Sequence, residues 1–250
     1  MADSVSRFDN RADDYAKSRP AYPAEAIDAV LEGLGFEALL TVADVGAGTG
    51  ISSRQIADRG ALVVAVEPNA AMRAKAEPHE RVVWQDGTAE ATGLRDGSVN
   101  LVVCAQAFHW FDRERALAEF RRVLRPTGRV ALLWNEVDTR DPLAAVYRRV
   151  VDDEAEADTP RRRHAAQVEP FEGDAFFEGV ERRSFAYEQI VTAEGLVSRA
   201  LSASYAPKAG PRHDRMVAAL RTAHAAHAGA DGTAVLRYET VVWTAGVRPR

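Results

Sequence analysis

The residues best suited to chemistry in this 250-residue chain gather where a short apolar run meets a cluster of glycines. Val42–Val45 leads into Gly46, Ala47, Gly48, Thr49 and Gly50, with Asp44 two positions ahead of the first glycine. Glycines at such a turn let the backbone approach a ligand without a Cβ in the way, and a helix that follows points its unpaired N–H groups at the same spot. Glu67, seventeen residues beyond Gly50, ends the next apolar run, where a carboxylate can accept hydrogen bonds from both hydroxyls of a ribose. A glycine turn and a distal carboxylate together predict a nucleoside site. The glycine spacing narrows the choice. A dinucleotide fingerprint, G-x-G-x-x-G, needs its third glycine at the position of Ile51. Asp44 so close to the turn would repel a pyrophosphate and favours a cationic, amino-bearing ligand. Further on, His109 in A-F-H-W-F-D is the imidazole placed to take a proton. Cys104 falls inside a strand pattern and is not read as a nucleophile.

These side chains need a frame, and the hydrophobic pattern supplies one. Val42–Val45 and Leu62–Glu67 read as buried strands, with Ile51–Arg59 as the helix between them. A helix over Ala24–Gly33 precedes them. Asn69 is placed to cap a helix reaching Ala76, and Val82–Gln85 is a short third strand. Leu101–Ala105 is the fourth strand. Asp112 then caps Arg113–Leu124, whose Ala116, Leu117, Phe120, Val123 and Leu124 form one apolar face. Pro126-Thr127-Gly128 turns into a fifth strand, Val130–Trp134. Ligands in open α/β sheets lie beyond the carboxyl ends of the strands, so Gln106–Phe111 should border them. By the same rule Asn135 or Glu136 reaches an acceptor, while Trp110 and Phe111 read as either pocket wall or core.

From Val137 the pattern changes. Pro142–Glu156 is helical, Arg161–His164 is a basic patch (a solvated surface or an anion site), and Pro170–Phe177 is aromatic and turn-rich. The stretch reads as an insertion that helps roof the pocket. Val180–Val191 alternates as a strand, Ala193–Ser202 and His213–His227 are helical, and Val235–Trp243 is the closing strand. No crossover helix fits after it, so it should enter antiparallel at one side of the sheet. His224 and His227 lack a carboxylate or thiol at ligand spacing, and no metal site is expected.

D-V-G-A-G-T-G followed by A-V-E-P-N-A-A-M resembles motifs one and two of the class I S-adenosylmethionine-dependent methyltransferases. The run A-F-H-W-F-D resembles the small-molecule branch of type 11 methyltransferases, which is trans-aconitate methyltransferase-like. The resemblance implies an α/β fold: a Rossmann-like, seven-stranded, mostly parallel sheet with helices on both faces, the last strand antiparallel, and a helical lid. It implies S-adenosylmethionine as donor and S-adenosylhomocysteine as product. The donor contacts it implies are Asp44, Gly46, Ala47, Gly48, Thr49, Gly50, Glu67, Pro68, Ala105 and Gln106, with Met72 either at the adenine or in the core. The opening F-D-N-R-A-D-D-Y-A-K-S-R-P-A-Y-P resembles the N-terminal lid of such enzymes. There Tyr15 and Tyr22 would fold over the donor and Arg19 would grip its carboxylate in a fork; otherwise the segment simply docks on the core. D-G-T-A-E resembles the third donor-binding stretch, with Thr88, Ala89 and Glu90. Thr88 stands where an aspartate often sits, so the adenine contact would fall to its hydroxyl and to the Ala89 backbone. Acceptor-side positions are Tyr22, His109, Trp110, Trp134 and Asn135, with His109 as the catalytic candidate.

The chain as a whole agrees with a small-molecule enzyme. With 46% hydrophobic residues it can bury one large core, and the expected layout is one methyltransferase domain. Within it, residues 1–40 form a lid and first helix, 41–136 the donor-binding core, 137–179 the lid insertion and 180–250 the C-terminal strands and helices. A net charge of −5 argues against a nucleic-acid surface. One cysteine rules out an internal disulfide and suits a reducing, cytoplasmic setting. No apolar run approaches the ~20 residues that span a bilayer. Twenty-nine arginines against three lysines reflect base composition and carry no functional reading. The expectation is a monomer or homodimer acting on a small acceptor, with no nucleic-acid or membrane partner. A non-catalytic donor-binding protein and a methyltransferase acting on RNA or protein are the competing readings. The latter would be expected to show a basic face or an N/D-P-P-Y/F loop where Ala105-Gln106-Ala107-Phe108 stands.

Overall fold

Strand β1 (Thr41–Val45) sends Val42 into one apolar cluster and Ala43 and Val45 into another, as a two-residue period requires. The same parity runs across the sheet and gives it two buried faces. The computed structural model describes residues 20–35, 40–155, 169–203 and 205–249. Its elements run α1 (Ala24–Leu31), β1, α2 (Ile51–Ala57), β2 (Leu62–Val66), α3 (Ala70–Ala74), β3 (Val82–Gln85), β4 (Val99–Ala105) and a 3₁₀ turn (Phe108–Trp110). They continue with α4 (Arg113–Val123), β5 (Leu124–Val137), α5 (Pro142–Glu154), β6 (Phe177–Val191), α6 (Ala193–Leu201), α7 (Pro211–His227) and β7 (Ala234–Val247).

The strands form one seven-stranded sheet in the order β3-β2-β1-β4-β5-β7-β6. β1 to β5 run parallel to one another, while β7 runs antiparallel to both β5 and β6. This is the Rossmann-like arrangement expected. β7 enters one place in from the rim, with β6 outside it. The order reverses between β1 and β4, which opens a crevice beyond their carboxyl ends.

Helices cover both faces. Ile27 and Val30 of α1 and Ile56 of α2 pack on Val42, Val63, Leu101, Val103, Leu133 and Val242. On the other face Ala116, Leu117, Phe120 and Val123 of α4 meet Val102, Cys104, Val130, Leu132 and Trp134. Each such side chain, fully buried, contributes about 1.5–3 kcal/mol. A third cluster joins α5, α6 and α7 to the start of β7 through Leu143, Tyr147, Leu196, Ala200, Met216, Leu220, Leu236 and Tyr238. No helix among the described residues is long and apolar enough to cross a membrane.

Local chemistry sets the helix starts. Asn69 Oδ1 accepts from the N–H groups of Ala71 (2.8 Å) and Met72 (3.1 Å), Asp112 from Arg115 at 3.3 Å and Asp141 from Ala144 at 3.0 Å, ahead of Pro142 in the first turn. β5 and β7 both outrun the expected strands because they pair with each other from Arg129–Gly246 to Val137–Tyr238. Pro126-Thr127-Gly128 lies where the β4–β5 register shifts. The basic patch Arg161–His164 lies outside the described residues.

Candidate functional site

The glycine loop is pinned to the end of β2. Val66 O accepts from the N–H groups of Gly46 (2.9 Å) and Ala47 (3.2 Å), and Ala47 O accepts from Gly50 N–H at 2.9 Å. Gly46, Gly48 and Gly50 all have positive φ, at 73°, 60° and 78°, a region that L-residues avoid. A Cβ on Gly46 would stand 2.6 Å from the Ala107 Cβ. The loop can therefore pass under the β4 end only with glycine there.

Two carboxylates brace this loop. Glu67 Oε2 accepts from Gly48 N–H and Oε1 from Asn69 N–H, both at 2.9 Å. Burial pushes its carboxyl up, against the pull of those two N–H groups. Each oxygen retains a further acceptor site, so Glu67 is both oriented and able to receive a diol. Asp44 is wholly buried, and its Oδ2 accepts from the hydroxyls of Ser52 (2.7 Å) and Ser53 (2.6 Å) in the first turn of α2. Burial likewise pushes Asp44 up, opposed by the Ser53 and Ser52 hydrogen bonds. Asp44 Oδ1 and Thr49 Oγ1 are buried with no hydrogen-bond partner among the described residues. A buried orphan acceptor is costly unless a ligand satisfies it. An ammonium at Asp44 Oδ1 and a ribose at Glu67 would meet the demands of this loop. A pyrophosphate would meet two carboxylates.

The strand ends complete the wall. Gln106 is the non-glycine residue with positive φ among the described residues, at 59°. Its backbone N–H donates to Leu133 O (2.8 Å) and its Nε2 to Asn135 O (3.2 Å), so β5 holds it in this strained form. Asn135 Nδ2 donates to Ala21 O at 3.2 Å while its Oδ1 accepts from Thr240 Oγ1 at 2.6 Å. Gln55 clamps Tyr22 from α2, accepting its N–H (2.9 Å) and donating to its carbonyl (2.7 Å). Pro20 and Tyr22 thus line a small recess together with Ala47, Thr49, Ile51, Ser52, Ala105, Gln106, Asn135 and Arg199.

Of the expected positions, the cavity brings together Tyr22, Ala47, Thr49, Ala105, Gln106 and Asn135. Gly46, Gly48, Gly50 and Glu67 shape the loop beside it, and Asp44 reaches it through Ser52. Others lie elsewhere. Trp134 shares the parity of Leu132 and is buried in the α4-side cluster, away from the cavity. Met72 is buried and Pro68 half-buried behind Glu67, neither lining the cavity. Ala89 is in the α4-side core, Thr88 is exposed, and Glu90 Oε1 accepts from Asp112 N–H at 2.9 Å. Glu90 therefore braces the start of α4. His109 sits half-buried on the 3₁₀ turn, its ring centroid 5.3 Å from that of Trp110, outside the cavity lining. Cys104 is buried, and burial followed by the Asp44 charge pushes its thiol well up, which suits a core residue. Tyr15 and Arg19 lie outside the described residues. Sequence reasoning missed Ser52, Ser53, Gln55 and Arg199. The one available signal for Arg199 was a cation on the buried stripe of α6, beside Leu196, Val197 and Ala200.

Comparison with known proteins gives the family. A family model described as a methyltransferase domain matches residues 43–132. An uncharacterised methyltransferase of Mycobacterium tuberculosis is 37% identical over 193 residues, covering 76% of this chain and 74% of the relative. A malonyl-[acyl-carrier protein] O-methyltransferase of Geobacter sulfurreducens is 37% identical over 115 residues, 43% of each chain. Among solved structures, one described as a type II methyltransferase from Anaeromyxobacter dehalogenans superposes with a TM-score of 0.68 at 25% identity, over 93% of this chain and 99% of the other. With its glycine loop, its Glu67 and its sheet order, this chain belongs to the class I S-adenosylmethionine-dependent methyltransferases.

Proposed function

We propose that the protein methylates a small-molecule acceptor, through a carboxylate, hydroxyl or acidic carbon, in the cavity between the glycine loop and α6. The observation that carries this reading is the recess in which Tyr22 and Arg199 share one lining with the glycine loop. Such a recess suits a small molecule better than a polymer, and the net charge of −5 points the same way. S-adenosylmethionine, when bound, supplies a methyl group already activated on a sulfonium.

The chain's share is then mostly positioning. Asp44 Oδ1 and Thr49 Oγ1 receive the polar groups of the donor's amino-acid end, and Glu67 receives its ribose. Gln106 and Asn135 fix the wall against which the acceptor lies. Holding reactants in line and dry is worth ~7–11 kcal/mol. A carboxylate acceptor needs no base, whereas a hydroxyl or carbon acid gives up a proton; His109, on the 3₁₀ turn outside the cavity lining, takes it only from an acceptor that extends past the end of β4.

Calorimetry tests the donor half: heat with S-adenosylmethionine and S-adenosylhomocysteine is expected, and heat with NADH alone would overturn the reading. Incubating metabolite extracts with isotopically labelled donor tests the acceptor half. Label in small organic products is expected, and label only in RNA or protein would refute it.

A further inference from the structure

Arginines on this protein's surface are, as a rule, answered by acids. Arg122 bonds Glu119 and Asp96, Arg215 bonds Glu154, and Arg237 bonds Glu188 and Asp141. Arg199 is different. It is 8% exposed, it lines the cavity, and no carboxylate pairs with it among the described residues. Its Nε is buried without a hydrogen-bond partner there. Its neighbours are phenols: the guanidinium carbon lies 5.9 Å from the Tyr238 ring centroid, and Tyr147 and Tyr205 are also close enough to act on its charge. Burial, the largest influence, works against that charge, and the tyrosines, Tyr238 also by a hydrogen bond, offset the burial. An aromatic face steadies a cation but brings no counter-charge. A buried guanidinium without an anion is unfavourable, and the cavity is where an anion can enter.

The anchoring of Arg199 over Tyr238 favours the acceptor over the donor as the source of that anion. Tyr238 lies on β7 opposite Val137, whereas the glycine loop follows β1. β1 and β7 are separated by β4 and β5, so three strand spacings of ~4.8 Å place them ~14 Å apart. The donor's amino-acid end belongs to the β1 side. Arg199 faces the same cavity from the β7 side.

We infer that Arg199 is the acceptor-binding cation and grips an oxyanion, carboxylate or phosphate, carried by the methyl acceptor. The inference rests on the methyl-transfer reading and deepens it: acidic acceptors are selected over their neutral analogues. A guanidinium meets such a group with two parallel hydrogen bonds, which an ammonium cannot reproduce.

The test is equilibrium binding to full-length protein saturated with S-adenosylhomocysteine. The probes are succinate, tricarballylate and glycerol 3-phosphate, each paired with its neutral counterpart: succinamide, tricarballylamide and glycerol. At least one acid should bind and its neutral partner should not, and the acid that binds separates carboxylate from phosphate. Arg199→Met should weaken that acid at least tenfold (on the order of 1.4 kcal/mol) and change S-adenosylhomocysteine affinity less than twofold. Arg199→Lys, which keeps the charge and is the fallback if the Met variant fails to fold, should weaken the acid about threefold or more. Equal binding of acids and neutral partners, an unchanged acid affinity in the variant, or a matching loss of S-adenosylhomocysteine affinity would each overturn the assignment, the last giving Arg199 to the donor. Wild-type protein that binds the acid but not S-adenosylhomocysteine would instead bring down the methyl-transfer reading and leave an anion site standing.

Discussion

Gly46 shows how little freedom the loop has. At φ 73°, with a prospective Cβ 2.6 Å from Ala107, Gly46→Ala should lower stability by about 1–3 kcal/mol and abolish measurable S-adenosylhomocysteine binding; a melting curve and calorimetry read both. Asp44 carries a pH signature. Its carboxyl is held above the ordinary aspartate value by burial, so in the window between those two values the folded state binds more protons than the unfolded. Stability must then fall as pH rises through that window. Wild type should lose stability relative to Asp44→Asn as pH climbs from the ordinary aspartate range, and the gap should stop changing below it, by denaturant titration at each pH. A constant gap at every pH would refute the linkage. His109→Ala should lower turnover ~10²–10⁴-fold on an acceptor that must shed a proton and leave donor affinity alone. Unaltered turnover there would remove the proton-transfer role. At this scale the sequence was readable at the glycine turn and at Glu67, placed at the end of β2, because those contacts are local. It misled at Trp134, although strand parity puts Trp134 with Leu132 and sends Asn135 to the opposite, cavity face. Arg199 was not legible because its neighbours Tyr147 and Tyr238 come from α5 and β7.

Among elements, the loop from β3 to β4 depends on a clasp to α4. Glu119 accepts from the Thr92 N–H (2.8 Å) and hydroxyl (2.6 Å), and Arg122 grips both its oxygens at 2.7 Å while also reaching Asp96 and Leu94 O. Burial raises Glu119, but the Arg122 and Thr92 hydrogen bonds outweigh it, and the net shift is downward. Its contribution to stability is therefore present at neutral pH and fades as pH falls through the carboxylate range. Glu119→Ala leaves the Thr92 N–H unanswered and should cost about 1–3 kcal/mol, with faster amide exchange confined to residues 86–98. Uniform exchange across the sheet would mean that the clasp does not act locally. Elements bounded by capping residues were predictable to within a residue or two, as with Asn69 and Asp112. The lengths of β5, β6 and β7 were not, because each is set by pairing between strands distant in the chain.

For the molecule as a whole, donor binding should appear as stability. A ligand at about 100 times its Kd adds ~2.7 kcal/mol, which for a chain of this size raises Tm by roughly 5–10 °C. S-adenosylhomocysteine should produce that rise and NADH should not. The place of β7 has another consequence. It follows β6 in the chain yet lies between β5 and β6, so a nascent polypeptide that has emerged only through α6 holds a fifteen-residue β6 with nothing to pair to. The parallel half of the sheet, β1 to β5, can close early in translation. The wall carrying Tyr238 and Arg199 is completed last, when the final strand enters between β5 and β6.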